Sequence, residues 1–155
     1  ISSEYVYDSK WYSKLRDIAN ESLQELAQDF KWEFWKKLTV VSAYRSYDYQ
    51  KGIKDWGCPD NLCAKAWYSE HQTWLAIDIF AATTLEDWQT NKNYSKYFEW
   101  FKQNAYKYWF HNTYQRWLEI DWYEIEPWHW RYLWTNISKY LQENEMTIAE
   151  FYDEL

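Results

Sequence analysis

Two glycines in 155 residues restrict the turns available to this chain more than any other feature. Glycine enters left-handed backbone at no steric cost, and tight turns and helix C-termini rely on it. At an average usage of ~7%, a chain of this length would carry about 11. Tryptophan, ordinarily rare, occurs 14 times, an excess of similar size to the glycine deficit. With 47% hydrophobic and 26% charged residues the chain can still bury a core, so a disordered working state is not expected. Its length suits one domain spanning 1–155. Seventeen Lys and Arg against 24 Asp and Glu give a net charge of −7, and no basic cluster is present. That argues against a protein that tracks nucleic-acid phosphates. No apolar run approaches the ~18 residues needed to span a bilayer, and Ile1–Lys10 lacks a signal-peptide core. Any export signal or anchor is therefore expected outside this chain.

Apolar positions recur at three- and four-residue steps from Trp11 to Phe30, which predicts an amphipathic helix. Leu38–Ala43 reads as a short strand and Tyr47–Asp55 as a short helix, followed by a loop over 56–70 that contains Gly57 and Pro59. Trp74–Phe80 alternates like a half-buried strand, with Trp74, Ala76, Asp78 and Phe80 on one face. A helix is predicted over 94–108, strands near 122–125 and 129–133, and two acidic helical segments over 136–155. The class is α+β, with a small, largely antiparallel sheet and flanking helices.

Only three histidines are present. His71 directly precedes the strand that carries Asp78, and His129 stands three residues after Glu126 at the start of another strand. Two His, one Asp and a nearby Glu match a catalytic zinc site: three protein ligands, an open position and a general base. Taken singly, such a residue is more often a hydrogen-bonding structural residue than a ligand. In a regular strand Glu126 and His129 would also face opposite ways, unless Pro127 breaks the alternation. His111 reads as structural. Cys58 and Cys63 suit a loop-stapling disulfide in an oxidising compartment, with two reduced thiols as the alternative.

Four segments in order then resemble the motif set of VanY-type D-alanyl-D-alanine carboxypeptidases. They are Ser42–Gln50 (SAYRSYDYQ), Tyr68–Phe80 (YSEHQTWLAIDIF), Asn104–Tyr108 (NAYKY) and Glu126–Tyr132 (EPWHWRY). They include S-x-H-x(6)-D and E-P-W-H. These zinc peptidases act on bacterial cell-wall stem peptides and share an α+β fold with hedgehog-like metalloproteins. The resemblance implies one zinc held by His71, Asp78 and His129, Glu126 as catalytic base and Arg45 facing the scissile carbonyl. Ser69 and Gln50 are candidates for binding substrate. It further implies a peptidoglycan stem peptide as partner, a monomer, and action outside the cytoplasm at the cell envelope. Neither nucleic acid nor a membrane segment in this chain is expected. Removal of a terminal D-Ala is the expected reaction, with L,D-carboxypeptidase or endopeptidase specificity as alternatives.

The chain departs from the family at glycine positions, where Trp67, Trp74, Trp109, Trp122 and Trp134 stand instead; Trp35 and Trp117 are further candidates. Trp128 matches a family Trp. Some bacterial lineages read UGA as Gly, and translation of such a gene with UGA as Trp would produce this pattern. The competing explanation is an authentic Trp-rich protein, an aromatic wall-binding module without catalysis. If strand alternation extends to Trp74, its side chain stands on the Asp78 face, beside the metal.

Overall fold

The computed structural model describes residues 1–80, 85–116, 118–134 and 136–155. Five strands, β1 (Val6–Asp8), β2 (Leu38–Ser42), β3 (Ala76–Ile79), β4 (Phe110–Asn112) and β5 (His129–Tyr132), form one sheet in the order β1-β2-β3-β5-β4. Among the described residues the β1–β2 pairing is parallel and the other three are antiparallel. The helices are α1 (Asp17–Phe34), α2 (Tyr47–Asp55), α3 (Leu85–Thr90), α4 (Lys92–Asn104), α5 (Leu118–Asp121), α6 (Asn136–Glu143) and α7 (Ile148–Asp153). Two 3₁₀ turns, Glu70–Thr73 and Ala105–Tyr108, lead into β3 and β4. Among the described residues no helix is long and apolar enough to cross a membrane.

The sheet divides core from site. Helix α1 buries Ala19, Leu23, Leu26, Ala27 and Phe30 along one stripe, and Phe101 of α4 joins them. This layer packs with Ile77, Ile79, Trp130 and Tyr132. Residues alternate across a strand, so Asp78, His129 and Arg131 are turned to the other face. Antiparallel register sets Asp78 opposite Ser42 on β2 and opposite His129 on β5. Directly opposed residues share a face with Cβ atoms ~5 Å apart, so strand pairing alone brings the Asp and one His together.

Several elements differ from the sequence expectation. Helix α1 begins at Asp17 rather than Trp11, because the Asp8 carboxylate accepts from the backbone N–H groups of Lys10 and Ser13 and bends the chain into a turn there. Strand β3 is buried at all four positions and starts at Ala76. No strand forms over 122–125, where Trp122 has φ 63° and closes the turn after α5. Strands β1 and β4, three residues each, are too short to show a period.

Eight described residues other than glycine have positive φ, and six are tryptophan: Trp11, Trp35, Trp67, Trp74, Trp109 and Trp122, at 53–74°. Trp35 closes α1 in left-handed conformation with its N–H on the Lys31 carbonyl, the helix cap that glycine usually provides. Trp74 and Trp109 end the two 3₁₀ turns in left-handed conformation as well, Trp109 with its N–H on the Ala105 and Tyr106 carbonyls. Trp134 is not in this set, and Trp117 lies outside the described residues.

Candidate metal centre

His71, Asp78 and His129 are buried, and their ligand atoms lie within 4.8 Å of one another. His71 comes from the turn before β3, where its Nδ1 sits 2.6 Å from the Ala43 carbonyl oxygen. A carbonyl only accepts, so Nδ1 carries the hydrogen and Nε2 is bare when the ring is neutral. Burial holds this imidazole below its ordinary pKa, favouring the neutral form. The bare Nε2 faces Asp78 Oδ2 at 3.2 Å, lone pair against lone pair. A cation between them resolves that opposition. His129 turns Nδ1 to Asp78 Oδ1 at 3.1 Å and Nε2 to Glu70 Oε2 at 2.8 Å. Burial disfavours its charge, but the hydrogen bonds to Asp78 and Glu70 outweigh burial and raise its pKa to about 10. Asp78 stays well below the usual carboxylate range: burial opposes ionisation, and the Arg45 guanidinium and the hydrogen bond with His129 overcome it. Two imidazole nitrogens and one carboxylate oxygen form a donor set suited to zinc with a position left open.

Glu126 precedes β5 in a turn closed by the His129 N–H on the Glu126 carbonyl, 3.1 Å. The strand starts only at His129, so the alternation that would separate the two does not apply. Glu126 Oε2 lies 3.8 Å from His129 Nδ1. Burial pushes its carboxyl up to about 7, with His129 opposing and Asp78 adding to the rise. That is the range of a general base working near neutrality. Arg45 places Nη2 2.6 Å from Asp78 Oδ2 and Nε 3.0 Å from Ser42 Oγ.

All five line a cavity of about 190 Å³, together with Gln50, Ser69, Tyr114, Trp128 and the Leu62–Ala64 segment. Gln50 donates from Nε2 to the Ala64 carbonyl at 2.7 Å, and its buried Oε1 has no partner. Ser69 is buried at the head of the Glu70–Thr73 turn. Cys58 and Cys63 are disulfide-bonded, which staples this rim. His111 lies away from the cavity, in a separate hollow of about 430 Å³, with Gln115 Nε2 3.1 Å from its ring.

Trp74 does not take the place that alternation would give it. It sits before β3, at φ 66°, and its ring stacks on Tyr44 with centroids 3.7 Å apart. The ring is absent from the cavity lining, so it does not crowd the metal position. Sequence reasoning also missed two partners. Glu70 holds His129, and Asn112 donates from Nδ2 to the carbonyls of Glu126 and His129 at 2.8 and 2.7 Å, fixing their turn. Adjacency to His71 was the only signal for Glu70; Asn112 offered none.

Residues 12–135 match the VanY family of D-alanyl-D-alanine carboxypeptidases. The "Putative carboxypeptidase YodJ" of Bacillus subtilis (strain 168) is 32% identical over 98% of this chain, which spans 59% of that relative's length. The solved LdcB LD-carboxypeptidase superimposes with a TM-score of 0.76 at 34% identity, over 90% of this chain and 68% of its own. A Zn(II) complex of the vancomycin resistance D,D-pentapeptidase VanY shares the fold, with a TM-score of 0.74, 23% identity, and 98% and 93% coverage.

Proposed function

The chain belongs to the VanY D-alanyl-D-alanine carboxypeptidase family, and from that premise we propose that it is a zinc-dependent carboxypeptidase that removes a terminal D-alanine from peptidoglycan stem peptides. One observation carries the reading: two buried imidazoles and a buried carboxylate converge beside Glu126 in a single cavity. His71, Asp78 and His129 would hold the metal, consistent with the Zn(II) found in a protein of the same fold. Zinc bound there supplies a Lewis acid and lowers the pKa of water towards ~7. Glu126 accepts the proton of the attacking water and returns it to the leaving amine. Arg45, always charged, stabilises the oxyanion that develops at the scissile carbonyl. Gln50 offers its unpartnered Oε1 to a substrate N–H, and Ser69 offers its hydroxyl. A cell-wall substrate implies action outside the cytoplasm, a setting in which the Cys58–Cys63 disulfide would persist.

Similarity at 34% identity to an LD-carboxypeptidase favours a second specificity, cleavage of a tetrapeptide stem. Incubation of the zinc-loaded protein with pentapeptide and tetrapeptide stems, followed by mass spectrometry, decides between them. Loss of D-Ala from the pentapeptide is the expected result, and loss from the tetrapeptide alone supports the second. Intact stems in both reactions remove the carboxypeptidase reading.

A further inference from the structure

The metal-ligand reading leaves Glu70 unused, although its carboxylate is largely buried against His129. We propose that Glu70 is a positioning residue that fixes the tautomer and ring orientation of His129, so that Nδ1 is the nitrogen offered to the metal. The inference rests on the reading of His129 as a ligand. Strand β5 carries His129 and Arg131 two residues apart on one face, and the turn before β3 brings Glu70 over both. Glu70 Oε2 accepts from His129 Nε2 and from Thr113 Oγ1, each at 2.8 Å, while Oε1 accepts from Arg131 Nη1 at 2.6 Å. Among the described residues three donors reach the carboxylate. Burying a charge is costly unless it is paired and hydrogen-bonded, and here it is both.

The two imidazoles are thus oriented by different acceptors. His71 gives its one ring N–H to the neutral carbonyl of Ala43, and His129 gives its own to an anion. A carboxylate in that position fixes which nitrogen is bare and makes it a stronger donor to metal. Glutamine cannot replace it. One edge of an amide is a donor, so either His129 Nε2–H or the Arg131 guanidinium would face another N–H.

The test is zinc affinity by chelator competition on the purified chain, with thermal stability of the metal-free protein measured alongside. Glu70→Gln is expected to weaken zinc by about 10–100-fold. Thr113→Val, which removes a bond to the same oxygen without touching His129, is expected to keep the affinity of the unaltered chain. Equal affinity in Glu70→Gln, or equal weakening in both variants, overturns the inference. Should Glu70→Gln fail to fold, nitrogen NMR of the unaltered zinc-bound protein still decides. His129 protonated at Nε2 supports the proposal, and protonation at Nδ1 overturns it. A chain that binds no zinc at all overturns the metal reading as well, whereas zinc binding that survives Glu70→Gln overturns this inference alone.

Discussion

In the cleft, polar side chains are buried and face named partners; at six turns, tryptophan holds left-handed backbone, and at four of them its ring is largely exposed. Trp11, Trp35, Trp67 and Trp122 are between 70% and 87% exposed. Phe80 shows what a justified exception looks like: its φ is also positive, at 60°, but its ring is buried and stacks 4.8 Å from Tyr97. Left-handed backbone costs an L-residue about 1–2 kcal/mol, hence on the order of 6–12 kcal/mol at six sites. A typical domain has a net stability of roughly 5–15 kcal/mol. The cleft selects residues for side-chain chemistry, whereas these turns select for the absence of a side chain. Glycine at the six positions, encoded by UGA and read as Trp, removes the conflict. Trp128, in ordinary backbone and lining the cleft, has no such conflict.

The largest effects are expected where side-chain chemistry decides. His71→Ala or His129→Ala should abolish the binding of about one zinc per chain, as read by metal analysis. Glu126→Gln should retain zinc and lower turnover by about 10²–10⁴-fold, because the base is not a ligand. Zinc retained after either His change, or turnover intact without Glu126, would break the contrast on the cleft side.

These groups were legible in the sequence because their chemistry is carried by residue type at short spacing. His71 and Asp78 flank one strand start, and His129 follows Glu126 by one turn. Helix α2 likewise occupies the predicted Tyr47–Asp55. What stayed hidden depends on partners far along the chain. Val6–Asp8 becomes a strand only by pairing with Leu38–Val40, and Phe110–Asn112 only by pairing with Trp130–Tyr132. Thr113 and Arg131 meet Glu70 from 43 and 61 residues away. The glycine positions at Trp67, Trp74, Trp109 and Trp122 were visible by resemblance. Trp11 emerged only from its φ of 67°, and nothing in the backbone singles out Trp134.

A smaller effect of opposite sign is expected at the turns. Replacing all six left-handed tryptophans with glycine relieves the strain, but glycine restores roughly 0.5–1 kcal/mol of unfolded-state freedom per site. The net gain is centred on about 4–5 kcal/mol, less whatever the lost Trp74–Tyr44 stack contributed. Calorimetry should show a rise in Tm on the order of 10 °C. Unchanged zinc affinity would confirm that the two regions act separately. The codons give an independent reading: UGA at the six and UGG at Trp128 is expected, and UGG throughout would make the strained turns authentic.

The smallest effect is expected at Asp8, which has the buried carboxylate of the cleft and the strained turn of the periphery together. Its oxygens accept from Ser13 N–H at 2.8 Å, Ser13 Oγ at 2.7 Å and Lys10 N–H at 3.0 Å, and its carbonyl accepts from Trp11 N–H at 3.3 Å. Burial opposes ionisation, yet the bonds from Ser13 and Lys10 prevail and hold its pKa below the ordinary value. A carboxylate depressed by folding stabilises fully above its unfolded pKa of ~3.9, and that contribution is lost as pH falls through the lower folded value. Asp8→Asn exchanges one acceptor edge for a donor facing these same donors, a cost of about 1–3 kcal/mol near neutrality. Thermal melts of the metal-free protein and the variant should differ by a constant margin above pH ~5, and the margin should narrow as pH falls below the unfolded pKa of ~3.9. Because apo protein is compared with apo protein, that narrowing assigns this acid sensitivity to the Trp11 turn, and a margin that stays constant throughout acid unfolding would remove Asp8 from the acid response.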